Sequence, residues 1–505
     1  MRLGLLVLWA GLTIRLSVPL AAQEQPLGEP SGKPTVAAEE QPISRLPPTD
    51  VTIASRPDRP AEARADDTGA NASSRNSWWS PWFGPGDSPE AEGASDWQEW
   101  TVHGQTTIIT DRHGPFRSPY IGPHSLLPIY EVPTSQTSTL FLGRRLWDDA
   151  AIYFNPEVAG GRGFSSVNGI AGFPNAEITR VGKPQPTPYI ARLFVAQTFG
   201  FGGEQEKVLD SANNIAGYRD ISRITVRVGK FAATDDIDDN YYSHDGRTQF
   251  WNWALVWNGA WDYPADVRGY TWGGLIDFNQ KDWALRYGLF AEPKVANGAD
   301  LDPRFSQAHG QIIELENRFN FYDRPGILRS MAYLNRADMG SYAAATNDPA
   351  FGLDIALTRR YSYKYGFGIG WEQQWTDDLG MLLRAGWSDG HNETWAFTPI
   401  DRTIALAFVR KGTKWDRPRD TVGLATVWNG IAAVHRNYLA AGGLDFNIGD
   451  GQLSYAWENI YETYYRYQIK NNIWVQGDLQ YVINPAYNSA RGPVFVQGIG
   501  VHAEF

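Results

Sequence analysis

From about Asp96 to the end of the chain, apolar and polar residues take turns. In Tyr361–Gln374, the residues Tyr363, Tyr365, Phe367, Ile369 and Trp371 oppose Lys364, Gly366, Gly368, Gly370, Glu372 and Gln374. Side chains alternate across a strand, so this spacing predicts one apolar face and one small or polar face. Trp272–Phe278 sets Trp272, Ile276 and Phe278 against Asp277, and Trp283–Glu292 sets Trp283, Leu285, Tyr287 and Leu289 against Arg286 and Glu292. Met381–Ser388 opposes Leu383 and Trp387 to Arg384. Ile460–Ile469 opposes Tyr461, Tyr465, Tyr467 and Ile469 to Glu462, Tyr464, Arg466 and Gln468. Ile473–Ile483 opposes Val475, Leu479, Tyr481 and Ile483 to Gln476, Asp478 and Gln480. Trp100–Asp111, Ser138–Trp147, Ile190–Gly200 and Arg223–Phe231 are further predicted strands. Short polar turns join some neighbours, as at Thr376–Gly380 and Lys470–Asn472.

The final stretch, Val494–Phe505, places Phe495, Ile499, Val501, Ala503 and Phe505 on one face, interrupted by Gln497. Gly498, Gly500, His502 and Glu504 fall on the other. Such a strand, ending on an aromatic, suits the closing strand of an outer-membrane barrel with lipid outside and a watery lumen within. The last strand of a soluble sandwich is the alternative, since it also alternates. The second face separates the two. Here it carries many glycines and isolated charges of both signs, the mix expected of a lumen, and the other face is aromatic and aliphatic with few charges. A charge on a lipid face costs about 2–4 kcal/mol near the midplane. No convincing helical segment interrupts the pattern, which predicts one large all-β transmembrane antiparallel barrel over 96–505. Sixteen strands fit the length, and eighteen remain open.

Composition agrees with this. The chain has 505 residues, 21 of them Trp and 24 Tyr, rings that gather at membrane interfaces and also in sugar-binding proteins. A mean hydropathy of -0.39 does not oppose a membrane, because a barrel hides its apolar residues in alternate positions. The absence of Cys excludes thiolate chemistry. A formal charge of -11 offers no basic field to nucleic acid. Met1–Ala22 has Arg2, an apolar stretch from Leu3 to Ile14 and a small-residue end at Ala21-Ala22, which predicts a cleaved export signal. Arg15 and Leu20 depart from the ideal pattern, but the stretch is too short to span a bilayer. Residues 23–95 are rich in Pro, Ala, Glu, Ser and Asp and predict a disordered periplasmic segment. Within it, Trp78–Phe83 is an aromatic patch that could dock, plug or lie unordered.

Few motifs carry chemistry. The Gly366, Gly368, Gly370 series has the wrong spacing for a nucleotide loop and reads as one strand face. Asp235, Asp236, Asp238 and Asp239 could hold calcium, although a solvated loop is the favoured reading. No His is followed by Glu, so no HExxH zinc site exists, and neither metal, cofactor nor catalytic residue is implied. Tyr153–Gly163, followed by Gly169–Asn175 and Arg180, reads as a glycine-supported turn. It presents Glu157, Arg162 and Arg180 among aromatic rings. Such groups hydrogen-bond vicinal hydroxyls while rings meet the faces of sugars. A loop salt bridge that only shapes the fold is the equally weighted alternative.

At these residues the chain resembles the carbohydrate-selective porins of the OprB type. The matching stretches are Tyr153–Gly163, Gly172–Gly182, Arg247–Leu255, Gln280–Leu285, Tyr438–Asp450 and Asn484–Phe505, the last two the most specific. The resemblance covers about 96–505. It implies a 16-stranded outer-membrane barrel that admits monosaccharides passively through a narrowed eyelet lined by Arg and Glu, and it carries that role to Glu157, Arg162 and Arg180. From alternation alone, Arg286, Glu372, Arg384, Tyr464, Arg466 and Asp478 are expected to line the lumen. Implied partners are small polar solutes and outer-membrane lipid, with homotrimer and monomer both open. A general or organic-solute porin is the main alternative; an outer-membrane enzyme or soluble carbohydrate binder is a weaker one.

Overall fold

The computed structural model describes residues 98–178, 184–397 and 399–505. The predicted export signal, the segment 23–95 and Arg180 lie outside the described residues. Among the described residues, eighteen strands follow one another. They are β1 (Trp100–His113), β2 (Thr134–Trp147), β3 (Ala150–Gly161), β4 (Thr187–Gly200), β5 (Gln205–Val208), β6 (Gly217–Asp220), β7 (Arg223–Phe231), β8 (Thr271–Asn279) and β9 (Trp283–Ala291). Then come β10 (His309–Phe321), β11 (Arg324–Met339), β12 (Arg360–Thr376), β13 (Leu379–Ser388), β14 (Arg402–Gly412), β15 (Arg417–Gly430), β16 (Glu458–Lys470), β17 (Ile473–Ile483) and β18 (Val494–Glu504). Sixteen of them close into an antiparallel barrel; β5 and β6 form a separate hairpin between β4 and β7. Closure runs from Gln105 opposite Glu504 to His113 opposite Val496. It leaves no open edge, which a bilayer requires.

The alternation is realised as an exposed outer side and a buried inner side. Tyr363, Tyr365, Phe367 and Ile369 of β12 are 49–56% exposed, while Lys364, Glu372 and Gln374 are buried within. In β18, Phe495, Ile499 and Val501 face out and His502 faces in. Both rims carry exposed rings: Trp100, Trp147, Tyr322, Trp375 and Trp415 at one, Trp272, Tyr361 and Trp457 at the other. These are the two interfacial belts expected of such a barrel.

The two ends differ. One has tight turns, such as Tyr322-Asp323, whose φ values of 50° and 57° match the mirror-image turn that suits strand twist. The β5–β6 hairpin is at this end. The other end carries the long connections, among them 114–133, 162–186 and 232–270. Short helices, which the alternation does not predict, sit in such connections: α1 (Trp253–Val256), α2 (Tyr342–Asn347) and α3 (Ala433–Ala440). They are too short for a 3.6-residue period to declare itself.

Tyr153–Gly163 is likewise not a turn. Most of it is β3, paired with β2 and β4. Pro156 has no N–H to give, and the β3–β4 register shifts between Asn155 and Pro156, so the proline is absorbed at an irregularity.

Candidate functional site

The connection 232–270 folds inward and is sewn to the barrel wall. Backbone N–H groups of Trp251 and Asn252 donate to Glu462 at 2.5 and 3.1 Å. Those of Tyr241 and Asp238 donate to Glu372 and Glu314, each at 2.7 Å. Arg384 donates to the carbonyls of Leu255 and Ser243 and pairs with Asp238 at 3.1 Å. A buried backbone must find partners, and charged wall residues supply them. The inward glycines complete the cradle. A Cβ on Gly386 would lie 2.0 Å from Asn258 Oδ1, and one on Gly498 2.5 Å from the Trp251 ring. The small inward face therefore packs against a protein loop over much of its area rather than facing only water.

The acidic run lies in this loop and is neither solvated nor arranged for calcium. Asp235 pairs with Arg192 at 2.5 Å, Asp236 with Arg227 at 2.5 Å, Asp238 with Arg384, and Asp239 with His244 at 3.7 Å. Asp236 and Asp238 are buried. Burial removes water from Asp236 and Asp238, and the facing guanidinium groups of Arg227 and Arg384 replace it. Among the described residues, no group of three or more His, Asp or Glu is placed to hold a metal ion.

Where the loop meets β3 and β4, its Arg247 approaches Glu157. Glu157, 2% exposed, accepts from Thr139 Oγ1 at 2.5 Å, Tyr270 OH at 3.2 Å, Arg247 Nη2 at 3.3 Å and the Tyr189 hydroxyl. Arg247 also donates through Nε to Glu177 at 2.8 Å. Tyr189 and Tyr270 stand 6.1 Å apart between ring centres, with Arg268 4.1 Å over Tyr189 and Arg192 5.1 Å over Tyr270. On another side Arg247 lines a cavity of about 10 Å³ with Trp251, Arg466, Trp474, Gln476 and His502. The arrangement fixes guanidinium groups, phenols and rings beside one another. It can hydrogen-bond hydroxyls and offer ring faces, but presents no nucleophile paired with a base.

Of the residues expected at an eyelet, Glu157 is in this cluster. Arg162 is not: it follows β3, is exposed, and lines a different cavity at the long-loop end. Arg247 was legible only as part of a matching stretch, because nothing in the sequence tells which loop turns inward. The six expected lumen residues all point inward. Arg286 and Glu372 belong to an ion-pair ladder along the wall: Arg286 with Glu314 and Glu316 at 2.8 and 3.0 Å, Glu316 with Arg329 at 3.0 Å, Arg329 with Glu372 at 2.5 Å. Arg384 anchors the loop. Tyr464 packs edge-on against Phe250, Arg466 lies 4.2 Å over Trp474, and Asp478 accepts from Gln480 at 3.0 Å.

Known proteins give the geometry a context. The high-pH structure of Pseudomonas putida OprB superposes with a TM-score of 0.61 at 17% identity, covering 84% of this chain and 97% of that one. The outer membrane channel DcaP of Acinetobacter baumannii follows at 8% identity and TM-score 0.46, covering 82% and 99%. No curated protein matches by sequence. The family model for carbohydrate-selective porins matches residues 139–505, well over half the chain. On that match, the protein belongs to the OprB family of carbohydrate-selective porins.

Proposed function

We propose that this outer-membrane channel, which is not an enzyme, passes monosaccharides and similar small carbohydrates down their gradient, selecting them where Arg247 meets Glu157. The supporting observation is the cluster itself: a guanidinium set by two carboxylates, with Tyr189 and Tyr270 beside it. Glu157 already accepts from four donors, so its part is to orient Arg247 and both phenols, which then address the sugar. Bond strength here has to stay modest, since a solute that binds tightly leaves slowly. On the same reading, residues 1–22 are a cleaved export signal and 23–95 a periplasmic extension, which N-terminal sequencing of the membrane-extracted protein tests.

Single channels in planar bilayers test the site. Glucose should reduce the ionic current in a saturable way, and Glu157→Gln should weaken that block. A current indifferent to glucose would contradict the reading and favour a general diffusion porin.

A further inference from the structure

We propose that the long-loop mouth holds a second, separate sugar site that captures a neutral monosaccharide before it reaches the Glu157–Arg247 cluster. This rests on the reading that the pore carries sugars. A cavity of about 460 Å³ lies between stretches 122–133 and 162–168, lined among others by Ser125, Glu131, Arg162, Ser166 and Asn168. Its size is that of a small-molecule site. It shares no residue with the Glu157–Arg247 cluster.

The lining is built rather than incidental. Glu131 is held by His113 Nε2 at 3.1 Å, and by the Ser165 N–H and hydroxyl at 2.9 and 2.8 Å. These three bonds fix the carboxylate and leave lone-pair capacity, because an ionised carboxylate accepts about four. Ser165, Ser166 and Val167 stand consecutively in left-handed backbone, at φ 48°, 60° and 64°. None is glycine, and strain of this kind gathers at functional sites. Arg162 makes no hydrogen bond or ion pair with a described residue, so its planar fork of donors is available to a ligand.

Charge selects the ligand class. A carboxylate and a guanidinium line the same cavity, which suits a neutral polyol, whose vicinal hydroxyls donate to Glu131 and accept from Arg162. Hydroxyls of Ser125 and Ser166 and the Asn168 amide extend the polar surface. The floor leads inward. Pro133, Gly163 and Asn168 also line a smaller cavity of about 20 Å³ that reaches Asp111 on β1 and Asn175 in the connection after β3, whose amide donates to Asp111 at 2.9 Å. Successive weak sites along a conduction path keep entry favourable and exit fast.

The test is current noise from oriented channels in planar bilayers, with glucose on one side at a time. Arg162→Ala should raise half-saturating glucose from the long-loop side about tenfold, as loss of one charge-assisted hydrogen bond predicts. From the short-turn side it should change little, and Arg162→Lys should fall between. Arg162 is exposed, so folding is not at stake. An unchanged half-saturation in Arg162→Ala, with Glu157→Gln still weakening the block, overturns the mouth site and leaves the Glu157–Arg247 cluster intact. No glucose block of the wild-type channel from either side overturns both.

Discussion

At the residue scale, the pore is held by charges that have lost their water and kept their partners. Arg247→Gln leaves Glu157 and Glu177 facing one another without their shared cation. Removing one member of a buried pair costs about 3–5 kcal/mol. The variant should therefore unfold at lower denaturant concentration and lose preference for glucose over an amino acid of similar size, read by denaturant titration and solute uptake. A second set of charges lies in the loops. His435 is buried between Asp401 at 3.0 Å and Asp445 at 2.7 Å and stacks on Tyr342 at 4.1 Å. Burial alone would lower its pKa, but the two carboxylates outweigh burial and raise it to about 9. Burial would likewise raise Asp401, yet His435 holds it down to about 2. With the folded histidine pKa raised, its stabilisation is complete below the unfolded value of about 6.5 and is lost as pH rises through 9. The Asp401 contribution is present above the unfolded value and lost as pH falls toward 2. Protease resistance of the 431–457 connection should thus fall between pH 7 and 10 in the wild type. In His435→Gln it should be lower at pH 7 and nearly flat over that range.

At the element scale, one connection packs inside the barrel. The stretch 232–270 stays inside because wall carboxylates take its N–H groups and wall glycines make room. Gly386→Ala would place a Cβ 2.0 Å from Asn258, and Trp251→Ala would remove the ring seated on Gly498 and Gly500. Truncating a buried Trp costs about 3–5 kcal/mol. Both changes should loosen the loop and raise single-channel conductance, and unaltered conductance in both would mean that the loop does not set the width. Strands such as β12, β16 and β17 were legible in the sequence because one face is apolar and exposed, the other is turned inward, and period two has nothing to compete with it. The inserted loop was not. Its Phe250, Trp251 and Leu255 carry no period, and the glycines that receive it looked like lumen surface. Glu157 was found from its dense motif, but its residue neighbours come from β2, β4 and the loop, which sequence order keeps apart. Arg162, five residues along, reads as its partner in sequence and instead faces another cavity.

At the scale of the whole molecule, sixteen strands close from β1 to β18 and every one lies after residue 99. A chain consisting of an export signal joined to residues 96–505 should still insert and migrate as a compact, heat-modifiable barrel on gels. Within that barrel the ion-pair ladder holds one side of the inserted loop and the Glu157 cluster the other. The most direct measurement is swelling of liposomes carrying the purified protein, comparing glucose, a disaccharide, an amino acid and an organic acid of similar size. Fastest entry of glucose, with the advantage reduced in Arg247→Gln, is the predicted result. Equal entry of all the small solutes would contradict sugar selection at the Glu157–Arg247 cluster and leave a general porin.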